Sequence, residues 1–191
     1  MKKILTLMLS IFLLQCASTK ISELQNIYKT DDYIFWDENR KLAWEDFKGE
    51  PLDTSENYGS EIIIKNPSTI ERANLFSSFK LTSICVFDKR HSWVNKKVAT
   101  PYLLLYNQTI FDIYELYVRK LRKEFSETDF GIDDYSEKFH SIAEKINSEL
   151  IDTVEEFRKE SKIGKDENVI TQWSIKIKNE LEELKQFEKE S

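Results

Sequence analysis

Two acidic side chains, Asp112 and Glu115, are the residues whose type and spacing most readily suggest chemistry. They are three positions apart, so on a helix they share one face, where carboxylates can ligate a metal ion or transfer a proton. Arg119 and Arg122 follow within two turns, and the i, i+4 order of Glu115 and Arg119 favours an ion pair. We interpret the group as a salt-bridged network, with metal ligation as the alternative.

The two histidines of the chain, His91 and His140, are the other candidate metal ligands. Glu137 and Glu144 lie at i−3 and i+4 from His140, a spacing that suits surface pairing as well as ligation. We interpret His140 as part of a solvated helix face and His91 as a loop residue. Ligation of a metal by His140 is the alternative.

Three amphipathic helices are predicted in the second half of the chain, and the first carries the carboxylate pair. It runs over 101–125, with Thr100 as N-cap and Pro101 at the first helical position. The residues predicted to share its apolar face are Leu103, Tyr106, Ile110, Ile113, Tyr117, Leu121 and Phe125. The second runs over 136–159 and the third over 167–189, each with apolar residues at helical spacing.

Short strands are predicted before the helices, at 33–36, 60–65 and 79–87. These segments are rich in aromatic and β-branched residues, and 91–99 is predicted to be a connection. Strands followed by helices indicate an α+β fold, with a small sheet and three long helices in a single domain, 33–191.

Composition limits the classes of partner. The 28 Lys and Arg residues are outnumbered by 34 Asp and Glu residues, which gives a formal net charge of −6. A nucleic-acid partner is not expected, because phosphate binding needs a basic face. Cys85 lies in an apolar segment and is expected to be a small buried residue.

The N-terminus has the layout of a signal peptide. Lys2 and Lys3 precede an apolar run that ends before Cys16. The run resembles a bacterial lipobox, although Gln15 replaces the usual small residue. We predict a signal peptide at 1–15, a lipid on Cys16 and a tether at 16–32, which implies a membrane-anchored lipoprotein of the cell envelope, on the periplasmic face or cell surface. Plain secretion and an uncleaved anchor are the alternatives.

The helix at 101–125 also has the layout of a metalloprotease active-site helix, although it contains no histidine. Such a helix carries His-Glu-x-x-His, in which two histidines bind Zn²⁺ and the glutamate polarises water. The corresponding frame here begins at Tyr106 and Asn107 and ends at Ile110. From its periodicity alone, the helix is an ordinary buried amphipathic helix.

Several segments in a fixed order carry a stronger signal. They are LAWEDFKG (42–49), SW (92–93), LLYNQTIFDIYE (104–115), VRKLR (118–122), FRKESKIG (157–164) and then Gln172 and Trp173. In this order they resemble a bacterial envelope family, domain of unknown function 922, described as predicted secreted zinc-dependent proteases. The residues that match the family pattern are Trp44, Asp46, Phe47, Gly49, Trp93, Gln108, Phe111, Asp112, Glu115, Arg119, Glu160, Gln172 and Trp173.

The departures from the family pattern fall on its expected metal site. Tyr106 and Ile110 stand where the family has its helix histidines, Asn107 where it has the catalytic glutamate, and Ile163 where it has a later histidine. The resemblance therefore implies a zincin-like fold whose zinc ligands are lost, so no zinc cofactor is expected.

Three functional hypotheses follow. The first is a non-catalytic envelope protein, a pseudoenzyme, that binds a protein or peptide in the former cleft. The second is an active metal-dependent peptidase that uses unusual ligands such as Asp112, Glu115 or His140. The third is a purely structural envelope protein.

Overall fold

The computed structural model describes residues 23–51, 59–74 and 76–188. The predicted signal peptide, the lipid site Cys16 and the first part of the predicted tether lie outside these ranges. The rest of the predicted tether contains a short helix, α1 (Glu23–Tyr28), which has no buried residue.

The α+β fold class predicted from the sequence is confirmed, with short strands first and long helices after them. The strands are β1 (Tyr33–Phe35), β2 (Ser60–Glu61), β3 (Ile64–Lys65), β4 (Ser68–Glu71), β5 (Lys80–Ser83), β6 (Val86–Asp88) and β7 (Trp93–Val94). The helices are α2 (Pro101–Glu127), α3 (Tyr135–Glu160) and α4 (Glu167–Glu183), and 3-10 turns occur at Trp44–Asp46 and Lys185–Phe187.

The strands divide among three small antiparallel sheets. One sheet has the order β1-β6-β3, and the pairs β2-β7 and β4-β5 form the other two. The predicted strand at 79–87 is interrupted at Ile84 and Cys85, because Ile84 donates its backbone N–H to Pro67 while the Cys85 carbonyl accepts from Trp36. The predicted connection at 91–99 contributes β7.

Helix α2 forms the centre of the core. Thr100 caps it by accepting a hydrogen bond from the Leu103 N–H, as the sequence predicted. The apolar residues predicted to face inward are all buried: Leu103, Tyr106, Ile110, Ile113, Tyr117, Leu121 and Phe125. Because α3 and α4 both pack on α2, nearly every side of its middle is covered.

Helix α4 is shorter than predicted and ends at Glu183. The chain then turns back toward α2, where the Arg122 Nη1 donates to the carbonyls of Phe187 and Glu188, at 2.9 and 2.7 Å. This bonding to backbone carbonyls holds the end of the described chain against the core. Within the described ranges, no helix combines the length and apolar content needed to cross a membrane.

Candidate functional site

One cavity collects the four positions at which the sequence departs from the zinc-protease pattern. It has a volume of about 250 Å³ and is lined by Ser60, Glu61, Ile62, Trp93, Tyr106, Asn107, Ile110, Arg158 and Ile163. Helix α2 supplies the floor, strands β2 and β7 supply one wall, and the end of α3 with the turn after it supplies the other. Tyr106 and Ile163 are far apart in sequence, so only the fold brings them together.

Asn107 carries an unsatisfied acceptor at this cavity. Its side chain is fully buried, and Nδ2 donates to Ser60 Oγ at 2.9 Å and to the Leu103 carbonyl at 2.7 Å. Among the described residues, no group donates to Asn107 Oδ1. A buried polar atom without a partner costs about 1–3 kcal/mol, so this oxygen is a ready acceptor for an N–H or O–H that enters the cavity.

The turn that holds Ile163 has an unusual backbone. Lys162, Ile163 and Gly164 have φ angles of 51°, 56° and 81°, all in the left-handed region. A β-branched residue there is strained by about 1–3 kcal/mol. The close packing behind the turn accounts for the glycine, since a Cβ at Gly164 would lie 3.0 Å from Leu103 Cδ1. Ile163 keeps 38 % of its surface exposed at the cavity rim.

Aromatic packing supports the wall opposite the strands. The ring of Tyr106 lies 5.2 Å from that of Phe157, which lies 5.2 Å from that of Trp173. Trp173 Nε1 donates to Glu160 at 2.7 Å. Burial raises the pKa of Tyr106, and the nearby Arg158 opposes that rise, so the phenol stays neutral near pH 7. Glu160 and Trp173 thus fix α3 to α4 behind the cavity.

Segment 42–49 holds β7 at the opposite wall. Gly49 donates its N–H to the Ser92 carbonyl at 2.8 Å, and a Cβ on Gly49 would lie 2.9 Å from that same oxygen. Only glycine permits this approach without a shift of the backbone, and the contact precedes Trp93 directly. Asp46 caps its own turn by accepting from the Ala43 N–H at 2.8 Å, and Phe47 packs on Phe87.

The remaining residues of the resembled pattern lie elsewhere. Gln108 accepts from the Leu42 N–H and donates to Asp112, both at 2.8 Å, which ties the 42–49 segment to α2. Phe111 is buried beside Phe87, Trp44 is half-buried, and Gln172 is exposed. Cys85 is a free, buried thiol, and burial raises its pKa well above the usual value.

The expected carboxylate–arginine network forms around Glu115 alone. Arg119 Nε lies 3.0 Å and Arg122 Nη1 3.5 Å from Glu115 Oε1, all deeply buried. Asp112 instead accepts from Trp36 Nε1 at 2.8 Å and from Gln108. The two carboxylates therefore have different partners, although they share one helix.

The cavity residues do not fit a zinc ion. Zinc in proteins is held by imidazole, thiolate and carboxylate groups. This cavity offers three isoleucines, a tryptophan, a neutral phenol, a serine, an amide, an arginine and the single carboxylate of Glu61. Over the described ranges, no group of three or more His, Cys, Asp or Glu side chains could hold a metal ion.

The alternative ligand set is dispersed. Glu115 is paired with Arg119, Asp112 lines a different cavity, and His140 is exposed on α3. His91 lies in a turn, where its Nδ1 is 2.9 Å from Asp88 Oδ2. Asp112, Glu115 and His140, the ligands that the peptidase hypothesis requires, therefore do not lie together in the described structure.

The sequence interpretation missed part of the cavity lining. Ser60 and Glu61 of β2 and the next residue, Ile62, line the cavity about 40 residues before α2 begins. Arg158 reaches it from the end of α3. Trp93, which the motif order had singled out, was the signal that pointed to this wall. No protein-family model matches the chain, and comparisons with curated proteins and with solved structures also give no match.

Proposed function

We propose that this protein is a non-catalytic peptide-binding domain of the bacterial cell envelope, a degenerate relative of the domain of unknown function 922 family. The observation that carries the proposal is that Tyr106, Asn107, Ile110 and Ile163 line the same cavity. It combines the Asn107 oxygen, to which no group of the described residues donates, with the strained residue Ile163 at the rim. Unsatisfied and strained groups of this kind are concentrated at binding sites.

The walls of the cavity suit an apolar side chain of a peptide. Its volume of about 250 Å³ is at the small end for ligand sites, and Trp93, Ile110 and Ile163 offer apolar surface. Asn107 Oδ1 would accept a peptide N–H.

Strand β2 offers a further attachment for an extended peptide. Among the described strands, β2 pairs only with β7, and we propose that an extended peptide adds to its other edge by main-chain pairing. Glu61 and Arg158 at the cavity provide one charge of each sign.

The chemistry of the cavity supports binding without catalysis. Asn107 has an amide where a water-activating carboxylate would be needed. Ile110 and Ile163 cannot ligate zinc, and the Tyr106 phenol, which burial keeps neutral, is a poor zinc ligand. Zinc is accordingly not part of the proposed function.

The lipid anchor is part of the proposal and rests on residues 1–16. A Cys16→Ser change is expected to move the protein from the membrane fraction to the soluble fraction, because a diacylated cysteine anchors a domain through its buried chains. Fractionation of cells that express the two forms measures this. If the Cys16→Ser protein stays in the membrane fraction, the N-terminal segment is an uncleaved anchor instead.

Ile163→Asn is expected to stabilise the protein and weaken peptide binding together. Asparagine tolerates the left-handed backbone, so the free energy of unfolding should rise by about 1 kcal/mol. The variant also removes apolar surface from the rim, so peptides selected on the wild-type domain from a random library should bind at least about tenfold more weakly. Urea unfolding and fluorescence titration measure the two effects.

Ile151→Asn is the matched control, because Ile151 is similarly exposed but lies on the regular helix α3. It should lose stability, since asparagine is a poorer helix former, and should bind the peptides as the wild type does. Equal peptide binding by wild type and Ile163→Asn would contradict the proposal. Failure of the library to yield any binder would favour a purely structural envelope protein.

A further inference from the structure

A second, larger cavity lies on another side of α2, away from Asn107. It has a volume of about 560 Å³, within the usual range for small-molecule sites. It forms where the 36–42 segment and α4 meet α2. Its apolar lining comes from Trp36, Leu42, Pro101, Leu104, Leu105 and Leu181.

Asp112 is the buried carboxylate of this cavity. The other polar residues that line it are Glu38, Asn39, Lys41, Gln108, Arg119, Ser174, Lys178 and Glu182. The Asp112 side chain is only 9 % exposed, and its Oδ1 accepts from Trp36 Nε1 and Gln108 Nε2, each at 2.8 Å. In the part of the chain that the structure describes, no hydrogen bond reaches Oδ2. Burial raises the pKa of Asp112, as expected for a carboxylate with incomplete compensation.

Three cations line the cavity, Lys41, Arg119 and Lys178, and among the described residues none of them is hydrogen-bonded to Asp112 Oδ2. Arg119 is committed to Glu115 at 3.0 Å and to the Leu181 carbonyl at 2.8 Å. Lys41 is exposed, with its Nζ 5.8 Å from the centre of the Trp36 ring. Lys41 offsets part of the Asp112 charge from a distance, as a mobile surface cation can.

We propose that this cavity binds a primary alkylammonium group, with the ammonium at Asp112 Oδ2 and the alkyl chain along Leu104, Leu105 and Leu181. An ammonium would supply the donor that Oδ2 lacks, and a charge-assisted hydrogen bond is stronger than a neutral one. The apolar walls would bury the methylene groups. A carboxylate ligand is disfavoured, because it would place like charge beside Asp112.

The test follows the indole N–H of Trp36 by NMR while n-hexylamine is added at about pH 7.5. This N–H is bonded to Asp112, so it reports directly on the proposed site, and a Trp36→Phe variant assigns its signal. Hexylamine should shift the signal to saturation, while 1-hexanol should bind at least about tenfold more weakly and hexanoate should not bind. Hexanol or hexanoate binding as tightly as hexylamine would overturn the proposal.

Two substitutions with opposite expected effects sharpen the test. Asp112→Asn keeps the size and removes the charge, so hexylamine affinity should fall at least about tenfold. Lys41→Gln removes one of the cations that line the cavity, at an exposed position, so affinity should rise severalfold, and this variant decides the matter if Asp112→Asn does not fold. Unchanged or weaker binding by Lys41→Gln would contradict the proposal.

Two further arms locate the effect and the source of the amine. Ile163→Asn, in the other cavity, should leave hexylamine binding unchanged, and a loss there would contradict a separate site. A short apolar peptide with one lysine separates the two natural sources of this group. If this peptide binds more tightly than hexylamine, the natural ligand is a lysine side chain of a peptide. If it binds more weakly, the natural ligand is a free amine.

Discussion

The Arg119→Ala variant is expected to lose about 3–5 kcal/mol of unfolding free energy, the cost of breaking a buried ion pair from one side. Arg119 and Glu115 are 2 % and 3 % exposed, and the guanidinium also donates to the Leu181 carbonyl at 2.8 Å. The substitution therefore leaves the buried Glu115 carboxylate with Arg122 as its remaining cation, and the Leu181 carbonyl loses this donor. Urea unfolding of the two proteins measures the difference.

The pH dependence of that loss identifies its cause. Burial raises the pKa of Glu115, and Arg122 and Arg119 oppose the rise. Because the native state then binds more protons than the unfolded chain, stability falls as the pH rises through the interval between the two pKa values. Without Arg119 the pKa of native Glu115 rises further, so the pH interval over which stability falls extends upward. The loss of unfolding free energy caused by Arg119→Ala should therefore be smaller at about pH 5.5 than at about pH 7.5.

Lys120→Ala is the matched control for this substitution. Lys120 is the next residue on α2, and its Nζ lies 3.9 Å from Glu180 at the surface. A pair of this kind contributes at most about 1 kcal/mol, and its loss should not depend on pH in the same direction. The Arg119 guanidinium also lies 4.9 Å from the centre of the Trp36 ring. An equal loss for Arg119→Ala at both pH values would attribute the effect to lost packing on that ring.

The combined variant Tyr106→His, Ile110→His and Ile163→His is expected to bind one Zn²⁺ per chain. Residues 106 and 110 lie one turn apart on α2, the spacing at which two imidazoles share a zinc ion, and residue 163 lines the same cavity. Histidine also accepts a left-handed backbone more readily than isoleucine does. Calorimetric titration should give a dissociation constant in the micromolar range or below, by analogy with other histidine sites.

Thermal unfolding provides an independent readout for the rebuilt site. Histidine at position 110 replaces an isoleucine that is 1 % exposed, so the metal-free variant should be less stable than the wild type. Zinc binds only the native site, so it should raise the melting temperature of the variant and leave that of the wild type unchanged. The variant with only Tyr106→His and Ile110→His should bind zinc at least about tenfold more weakly. Equal zinc affinity of these two variants would show that residue 163 is not in reach.

Helical periodicity was sufficient to predict the central helix and its buried face. The stripe from Leu103 to Phe125 is buried as predicted, because the 3.6-residue period is a local property that tertiary packing preserves. The capping residues Thr100 and Pro101 set its start for the same local reason. The end of α4 was harder, because the turn at Lys185–Phe187 is held by Arg122, a contact between distant parts of the chain.

The strands show the limit of local patterns. The segment 60–65 reads as one apolar strand, yet it divides into β2 and β3. Between them, the backbone N–H of Ile63 donates to Ser92 Oγ, and the Ile63 carbonyl accepts from the Asp88 N–H. These partners are about 25 residues away, so no rule based on spacing within the segment could locate the break.

The candidate sites differ in how much of them the sequence could indicate. The motif resemblance selected Tyr106, Asn107, Ile110 and Ile163, which line one cavity, although nothing in their local spacing connects the last with the first three. The second cavity was missed, because the partnership of Asp112 with Trp36 joins positions 76 residues apart. The one sequence feature that could have indicated this cavity is the i, i+4 pair of polar residues Gln108 and Asp112, on a helix whose other residues are mostly buried.

Native mass spectrometry of residues 18–191 after exposure to micromolar Zn²⁺ tests most directly whether the Tyr106–Ile163 cavity is a former metal site adapted to another ligand. We expect the wild-type domain to give only the metal-free mass, and the variant with three histidines to carry one zinc ion under the same conditions. One tightly held zinc ion on the wild-type domain would contradict the proposal of a non-catalytic binding site and would direct attention to Glu61 and the cavity around it.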